Sequence, residues 1–131
     1  MIVVDASVLA NALIDDGSAG DRARSALSED LRWAAPGHLV VEVISVIRGR
    51  LLGRKLQAQR ADEAIAVLVE LEMAQIDVLP LAHRIWELHD NLTAYDAAYL
   101  AVAEELGCAL LTSDARLARA DGGRCPVRLT K

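Results

Sequence analysis

Five short, largely apolar runs, "MIVVD", "RWAAP", "QIDVLPL", "CALLT" and "CPVRLT", punctuate this chain, separated by longer stretches of helical character. A continuous apolar run too short for a helix suits a strand covered on both faces. The intervening stretches supply the helices. "VLANALI" follows the first run, and "SAGDRARSALSED" starts a second helix at Ser18. "HLVVEVISVIRGRLLG" has helical length and closes on Gly53, while "QRADEAIAVLVELEMA" is amphipathic. "AHRIWELHDNL" makes a short helix, another runs from Thr93 to Gly107, and "SDARLARA" makes one more. Strands alternating with helices build a parallel sheet covered by helices. The expectation is an α/β fold: a three-layer α/β/α domain with a central, mainly parallel sheet of about five strands, with residues 1–131 forming a single domain.

At 131 residues and 14.1 kDa the chain needs no second domain. With 53% hydrophobic residues, 25% charged residues and three prolines, it reads as globular rather than disordered. "MIVVDASVLANALIDDG" has no basic segment before its apolar residues, and Asp5 interrupts what would otherwise pass for a signal sequence. No apolar run has the length to span a bilayer. A cytoplasmic protein without membrane attachment is expected. Cys108 and Cys125 form no CxxC or other zinc spacing, and read as reduced, mostly buried thiols.

A net charge of −5 argues against holding nucleic acid by broad electrostatic attraction. An enzyme acting on nucleic acid with this balance needs cations in its site or a local basic patch. "RGRLLGRKLQAQR" gathers Arg48, Arg50, Arg54, Lys55 and Arg60, although cations at the end of a helix are accounted for equally well by the helix dipole.

In open parallel sheets, sites form beyond the carboxyl ends of the strands, where loops lead into helix N-termini. Asp5 ends the first strand in "IVVDAS", and Asp114 follows the fourth in "ALLTSDARL"; each also suits an N-terminal helix cap. Glu42 sits between valines in "HLVVEVISVIRG" and shares a helical stripe with Ser45 and Gly49. It is either a solvent-facing glutamate or a carboxylate looking into a cleft. Asp96 in "LTAYDAAYLAVAEELG" lies three residues after Thr93, the spacing of a capping box. Its helix is otherwise apolar all round up to Glu104 and Glu105, hence largely buried. A carboxylate at its start needs backbone amides, a basic partner or a metal.

Each acid has an ordinary explanation, but together they carry an electrostatic cost. If the four converge, each close pair repels by roughly 4 kcal/mol at ~4 Å and an effective dielectric of ~20. A cation or a proton would have to be present. All-oxygen carboxylate sites prefer hard ions such as Mg²⁺ or Mn²⁺, which engage phosphate oxygens.

The order "IVVDAS…VVEVISVIRG…LTAYDAAYLAVAEELGCALLTSDARLA" closely resembles the PIN-domain ribonucleases, specifically the VapC-type toxins of bacterial toxin–antitoxin pairs. Thr93 to Leu117 is the most specific part. The resemblance implies that Asp5, Glu42, Asp96 and Asp114 form the acidic, catalytic Mg²⁺ or Mn²⁺ site, and that the Ser7 and Thr112 hydroxyls support it. It implies hydrolysis of RNA such as tRNA, rRNA or mRNA, inhibition of translation, a homodimer, and a VapB-like antitoxin that places a basic side chain into the acidic site. Many relatives carry a further acid shortly after the last aspartate; here that position holds Arg116.

A metal mechanism needs none of the three histidines. His38, His83 and His89 lie at or near predicted helix ends and read as surface or capping residues. The apolar residues of "AIAVLVELEM" serve the core or a dimer face, the core being the better reading. A response-regulator-like receiver wants paired acids at the first strand and a late lysine, where this chain has Asp5 alone and Arg128. A haloacid-type phosphatase wants an acid where Ser7 stands. The remaining rival is a non-catalytic PIN-like interaction module using the acids only as caps.

Overall fold

The computed structural model describes residues 1–130. Five strands, β1 (Ile2–Val4), β2 (Trp33–Pro36), β3 (Ala74–Ile76), β4 (Ala109–Thr112) and β5 (Val127–Leu129), form one sheet in the order β3-β2-β1-β4-β5, every neighbouring pair parallel. The helices between them are α1 (Ala6–Ile14), α2 (Ser18–Ser28), α3 (Leu39–Leu52), α4 (Ala58–Glu70), α5 (Ala82–Glu87), α6 (Ala94–Leu106) and α7 (Ala115–Ala118). Parallel crossovers are right-handed. The chain winds from β1 to β3 in one direction and then returns past β1 to β4, so the two sets of crossover helices cover opposite faces. The expected three-layer α/β/α arrangement results.

Strand β1 is buried along its whole length, as is β4, which is why both read as continuous apolar runs. Their registers pair Val4 with Leu111, and the Asp5 N–H continues the ladder onto the Leu111 carbonyl at 3.2 Å. Asp5 and Thr112 therefore leave the sheet side by side. This is the point where strand order reverses, at which open α/β sheets open a crevice.

Helix α6 lies across β1, β2 and β4, with Ala97 to Ala103 all buried. Its alanines let the backbone approach the sheet, and Gly107, at φ 64°, ends the helix in the left-handed conformation a glycine adopts without strain. On the other side α1 packs on β4 and gathers α2, α3 and α4. In α4 the faces divide: Ala61, Ala64 and Leu68 enter the core, whereas Val67 and Val69 remain exposed. Both thiols are free and half-buried. Burial and the nearby Glu104 charge push Cys125 up to about 11.

One predicted strand shortens. Of "QIDVLPL", only Gln75 and Ile76 join β3, while Leu79–Leu81 form a 3₁₀ turn. Pro80 has no N–H to give a ladder, and the Asp77 carboxylate accepts the Leu79 N–H at 3.1 Å, bending the chain away. Similarly, α5 stops at Glu87, short of "LHDNL". No helix among the described residues is long and apolar enough to cross a membrane.

Candidate active site

Asp5 is the N-cap of α1 and is nearly inaccessible, with 5% of its surface exposed. Its Oδ1 accepts the Ser7 hydroxyl at 2.6 Å and the Val8 N–H at 3.2 Å. Its Oδ2 accepts a short hydrogen bond from the Thr112 hydroxyl. All these donors are neutral. Burial raises the Asp5 pKa above the ordinary aspartate value despite the three hydrogen bonds, and the Asp96 charge adds to the rise. A buried carboxylate served by dipoles alone is short of positive charge.

The two hydroxyls also join the ends of β1 and β4. Thr112 Oγ1, besides donating to Asp5, accepts the Asp114 N–H at 3.0 Å. Ser7 Oγ accepts the Ser113 N–H at 3.0 Å. Ser7 and Thr112 thus each bond the Asp5 carboxylate and a backbone N–H beyond the end of β4.

Asp114 uses its two oxygens differently. Oδ1 caps α7 by accepting the N–H groups of Arg116 and Leu117, while Oδ2 faces the Arg116 guanidinium at 3.3 Å. Burial pushes its pKa up, but the Arg116 N–H, the guanidinium and the Leu117 N–H outweigh it and hold the carboxyl below its usual range. Asp96 resolves the capping question similarly: its backbone N–H donates to the Thr93 hydroxyl at 3.2 Å, while its carboxylate reaches Arg116 Nη2 at 3.0 Å. The N-cap belongs to Thr93, and the acid side chain is directed elsewhere.

Glu42 stands on the first turn of α3, half-buried. Its Oε1 accepts the Tyr99 hydroxyl at 2.9 Å, and Tyr99 comes from α6, three residues beyond Asp96. Burial, then the Glu42 charge, raise the Tyr99 pKa far above the normal phenol range, so the phenol is a fixed donor. The Asp5 charge adds to that rise more weakly.

His38 corrects the reading of the histidines as surface or capping residues. It occupies the N-cap of α3 without capping, packs edge-on against Tyr99 and Tyr95, and sets Nε2 2.9 Å from Glu42 Oε1 without the alignment of a hydrogen bond. The i,i+4 spacing of His38 and Glu42 on one helix was the available signal. His83 and His89 are exposed as expected, the latter stacked on Trp86.

The basic stretch lies elsewhere. Arg50 is about 12 Å along α3 from Glu42 at the usual helical rise, and faces Asp15 at 3.8 Å. Arg60 pairs with Asp16 at 3.0 Å. This cluster sits by the C-terminal end of α1, away from Asp5 at its N-terminus.

Among the described residues, no three His, Cys, Asp or Glu side chains enclose a common ion-sized position. Instead a cation of the chain itself stands between Asp96 and Asp114: one nitrogen of Arg116 serves an oxygen of each. The donor set is all oxygen, it attracts a cation where Arg116 lies, and Asp5 beside it lacks one. The donor chemistry suits a hard divalent ion, although in this arrangement no three of the described carboxylates enclose one position and Arg116 stands as the cation between two of them.

Known proteins agree with this architecture. The family model of the PIN domain matches residues 2–123. Ribonuclease VapC9 of Mycobacterium tuberculosis is 38% identical over 127 residues, 97% of this chain and 96% of that protein. The crystal structure of M. tuberculosis VapC20, described as a sarcin–ricin loop cleaving toxin, superposes with a TM-score of 0.71 at 18% identity, over 89% of this chain and 92% of the other. A toxin–antitoxin complex from Klebsiella pneumoniae gives a TM-score of 0.67 at 20% identity, over 100% and 98%. With the sheet order, the placement of Asp5 and Asp114 at its switch point, and these matches over nearly the whole chain, the protein belongs to the PIN-domain family, among the VapC ribonucleases.

Proposed function

We propose that this chain is an endoribonuclease toxin that hydrolyses RNA phosphodiesters at the Asp5, Glu42, Asp96 and Asp114 site, with Mg²⁺ or Mn²⁺ as cofactor. The observation that carries this reading is the charge pattern at the β1/β4 switch point. A buried Asp5 has only neutral donors, while two neighbouring acids are gathered on one cation. The residues to hold the metal are Asp5, Asp96 and Asp114, with Glu42 binding or orienting its waters. The ion, when bound, supplies an acidified water and charge stabilisation for the scissile phosphate.

The chain's own residues preorganise this chemistry. Ser7, Thr112 and the Val8 N–H fix the Asp5 carboxylate against rotation, so little reorganisation remains when charge develops nearby. Tyr99 fixes Glu42, and Thr112 sets the backbone of Asp114. Nothing in these groups requires the 2′-hydroxyl as nucleophile. The preference for RNA is supported by the ribonuclease relatives, and splayed single-stranded loops are the RNA form such a crevice can reach.

The same reading includes neutralisation by a VapB-like antitoxin, a homodimer, inhibition of translation and a cytoplasmic setting. A groove of about 560 Å³ beside His38, lined by Leu79, Trp86 and Tyr95, supports a protein partner. Those three side chains are largely exposed, and exposed apolar surface of this kind marks interaction sites.

Purified protein free of any partner, incubated with total RNA and Mg²⁺ or Mn²⁺, is expected to cleave it, and EDTA to stop cleavage. Asp96→Asn is expected to lose at least ~100-fold in rate, the scale for removing one electrostatic contributor from a preorganised site. Equal cleavage by Asp96→Asn and wild type would exclude this site, and no cleavage by wild type would leave an interaction module.

A further inference from the structure

Arg116 is the one cation, among the described residues, in ion-pair contact with any of Asp5, Asp96 and Asp114. Its guanidinium joins two elements distant in sequence, the first turn of α6 and the N-terminus of α7. One nitrogen, Nη2, serves both acids, lying 3.0 Å from Asp96 and 3.3 Å from Asp114. The side chain itself is 69% exposed, whereas Asp96 and Asp114 are 20% and 34% exposed. Only the tip is engaged, and solvent is open to it. A side chain held by its tip and free along its length can swing out by rotation about its own bonds, with no change in backbone.

We propose that Arg116 is an internal counter-ion that occupies the cation position between Asp96 and Asp114 in the metal-free protein and must be displaced for a divalent ion to enter. Metal binding is then an exchange of one cation for another. Without Arg116 the pair of acids would repel, and that repulsion is what a metal relieves on binding. With Arg116 present, part of the relief is already taken, so apparent metal affinity is lowered while the metal-free fold is steadied. The competition is electrostatic, one cation against another. Its strength falls with ionic strength, because the pairs are partly exposed.

The inference rests on the reading of these acids as a metal site, and the two fail separately. Mn²⁺ binding to the purified, EDTA-stripped protein is measured by calorimetry for wild type, Arg116→Ala, Arg116→Lys and Asp96→Asn, with melting curves of the metal-free forms. Arg116→Ala is expected to bind Mn²⁺ about three- to tenfold more tightly, the scale of two partly exposed ion pairs. Its metal-free melting temperature should fall, and raising salt should shrink the difference in affinity from wild type. Arg116→Lys should lie between, because it keeps the charge and loses the planar fork. Should wild type bind Mn²⁺ and Arg116→Ala bind it no more tightly, the counter-ion role is overturned. The same follows if Arg116→Ala leaves affinity unchanged and only raises KM for RNA, which would make Arg116 a phosphate contact. If neither wild type nor Arg116→Ala binds Mn²⁺, the metal-site reading itself falls and this inference with it.

Discussion

Thr112 donates its hydroxyl proton to Asp5 while its oxygen accepts the Asp114 N–H, so a single buried side chain sets two of the acids. Thr112→Val keeps the shape and removes both bonds. It is expected to lower stability by about 1–3 kcal/mol, the cost of leaving buried partners unsatisfied, and RNA cleavage by about 10–100-fold, the usual scale for residues that orient ligating groups. Thr112→Ser should restore most of both, as read by melting curves and initial rates; a Val variant as active as Ser would remove Thr112 from the site. Which residues carry charge was legible in the chain, because Asp5 and Asp114 stand where strands end. Where a side chain points was not: Thr93 and Asp96 have the spacing of a capping box whether the carboxylate turns back to the helix end or outward to Arg116. Tyr99 was hidden for a related reason: its role exists only because α3 and α6 come together, a contact between residues 57 positions apart.

At the level of elements, the segment entering β5 is tied down by charge rather than by apolar packing. Arg84 of α5 donates Nε and Nη2 to the two oxygens of Glu104 on α6, at 2.7 and 3.0 Å, and Nη2 also donates to the Gly122 carbonyl at 2.6 Å. Glu104 accepts the Arg124 N–H at 2.7 Å as well. Burial works to raise the Glu104 pKa, but Arg84 and the Arg124 N–H outweigh it and hold the carboxyl below its ordinary value. A folded-state pKa below the unfolded one contributes stability above the unfolded value, about 4.3, and that stability is lost as pH falls through the folded value. Glu104→Gln is expected to cost about 1–3 kcal/mol at neutral pH and to show a shallower loss of stability on acidification. Parallel acid limbs for mutant and wild type would assign the segment's order to something else. Sequence periodicity places α5 and α6 but is silent on this lock, since Glu104 read only as a polar interruption of an apolar helix. Pro80, by contrast, was a legible warning that "QIDVLPL" could not be a strand to its end, because it has no N–H to give.

For the molecule as a whole, the proposed site sets stability against activity. Asp5 is raised above its ordinary pKa by burial, so its ionised form is less comfortable in the folded chain than in the unfolded one. By linkage, the stability associated with its protonated form is fully present below the unfolded pKa of about 3.9 and is lost as pH rises through the folded value. At neutral pH the metal-free protein therefore carries Asp5 as a load, which a bound divalent cation would relieve. Asp5→Asn cannot ionise and keeps nearly the same shape; its amide oxygen can still accept, and the Thr112 hydroxyl can turn to receive the new N–H. In EDTA, Asp5→Asn is expected to melt no lower than wild type at pH 4 and increasingly above it as pH rises toward 7, while losing RNA cleavage. Mn²⁺ at 100 times its Kd should stabilise wild type by about 2.7 kcal/mol, or roughly 10 °C for a domain of this size, and Asp5→Asn by much less. Sodium chloride at matched ionic strength should not reproduce that shift, since screening weakens repulsion without filling the site. An Asp5→Asn protein that melts well below wild type in EDTA at pH 7 would show that the carboxylate is kept for the fold, leaving no stability cost for a metal to repay.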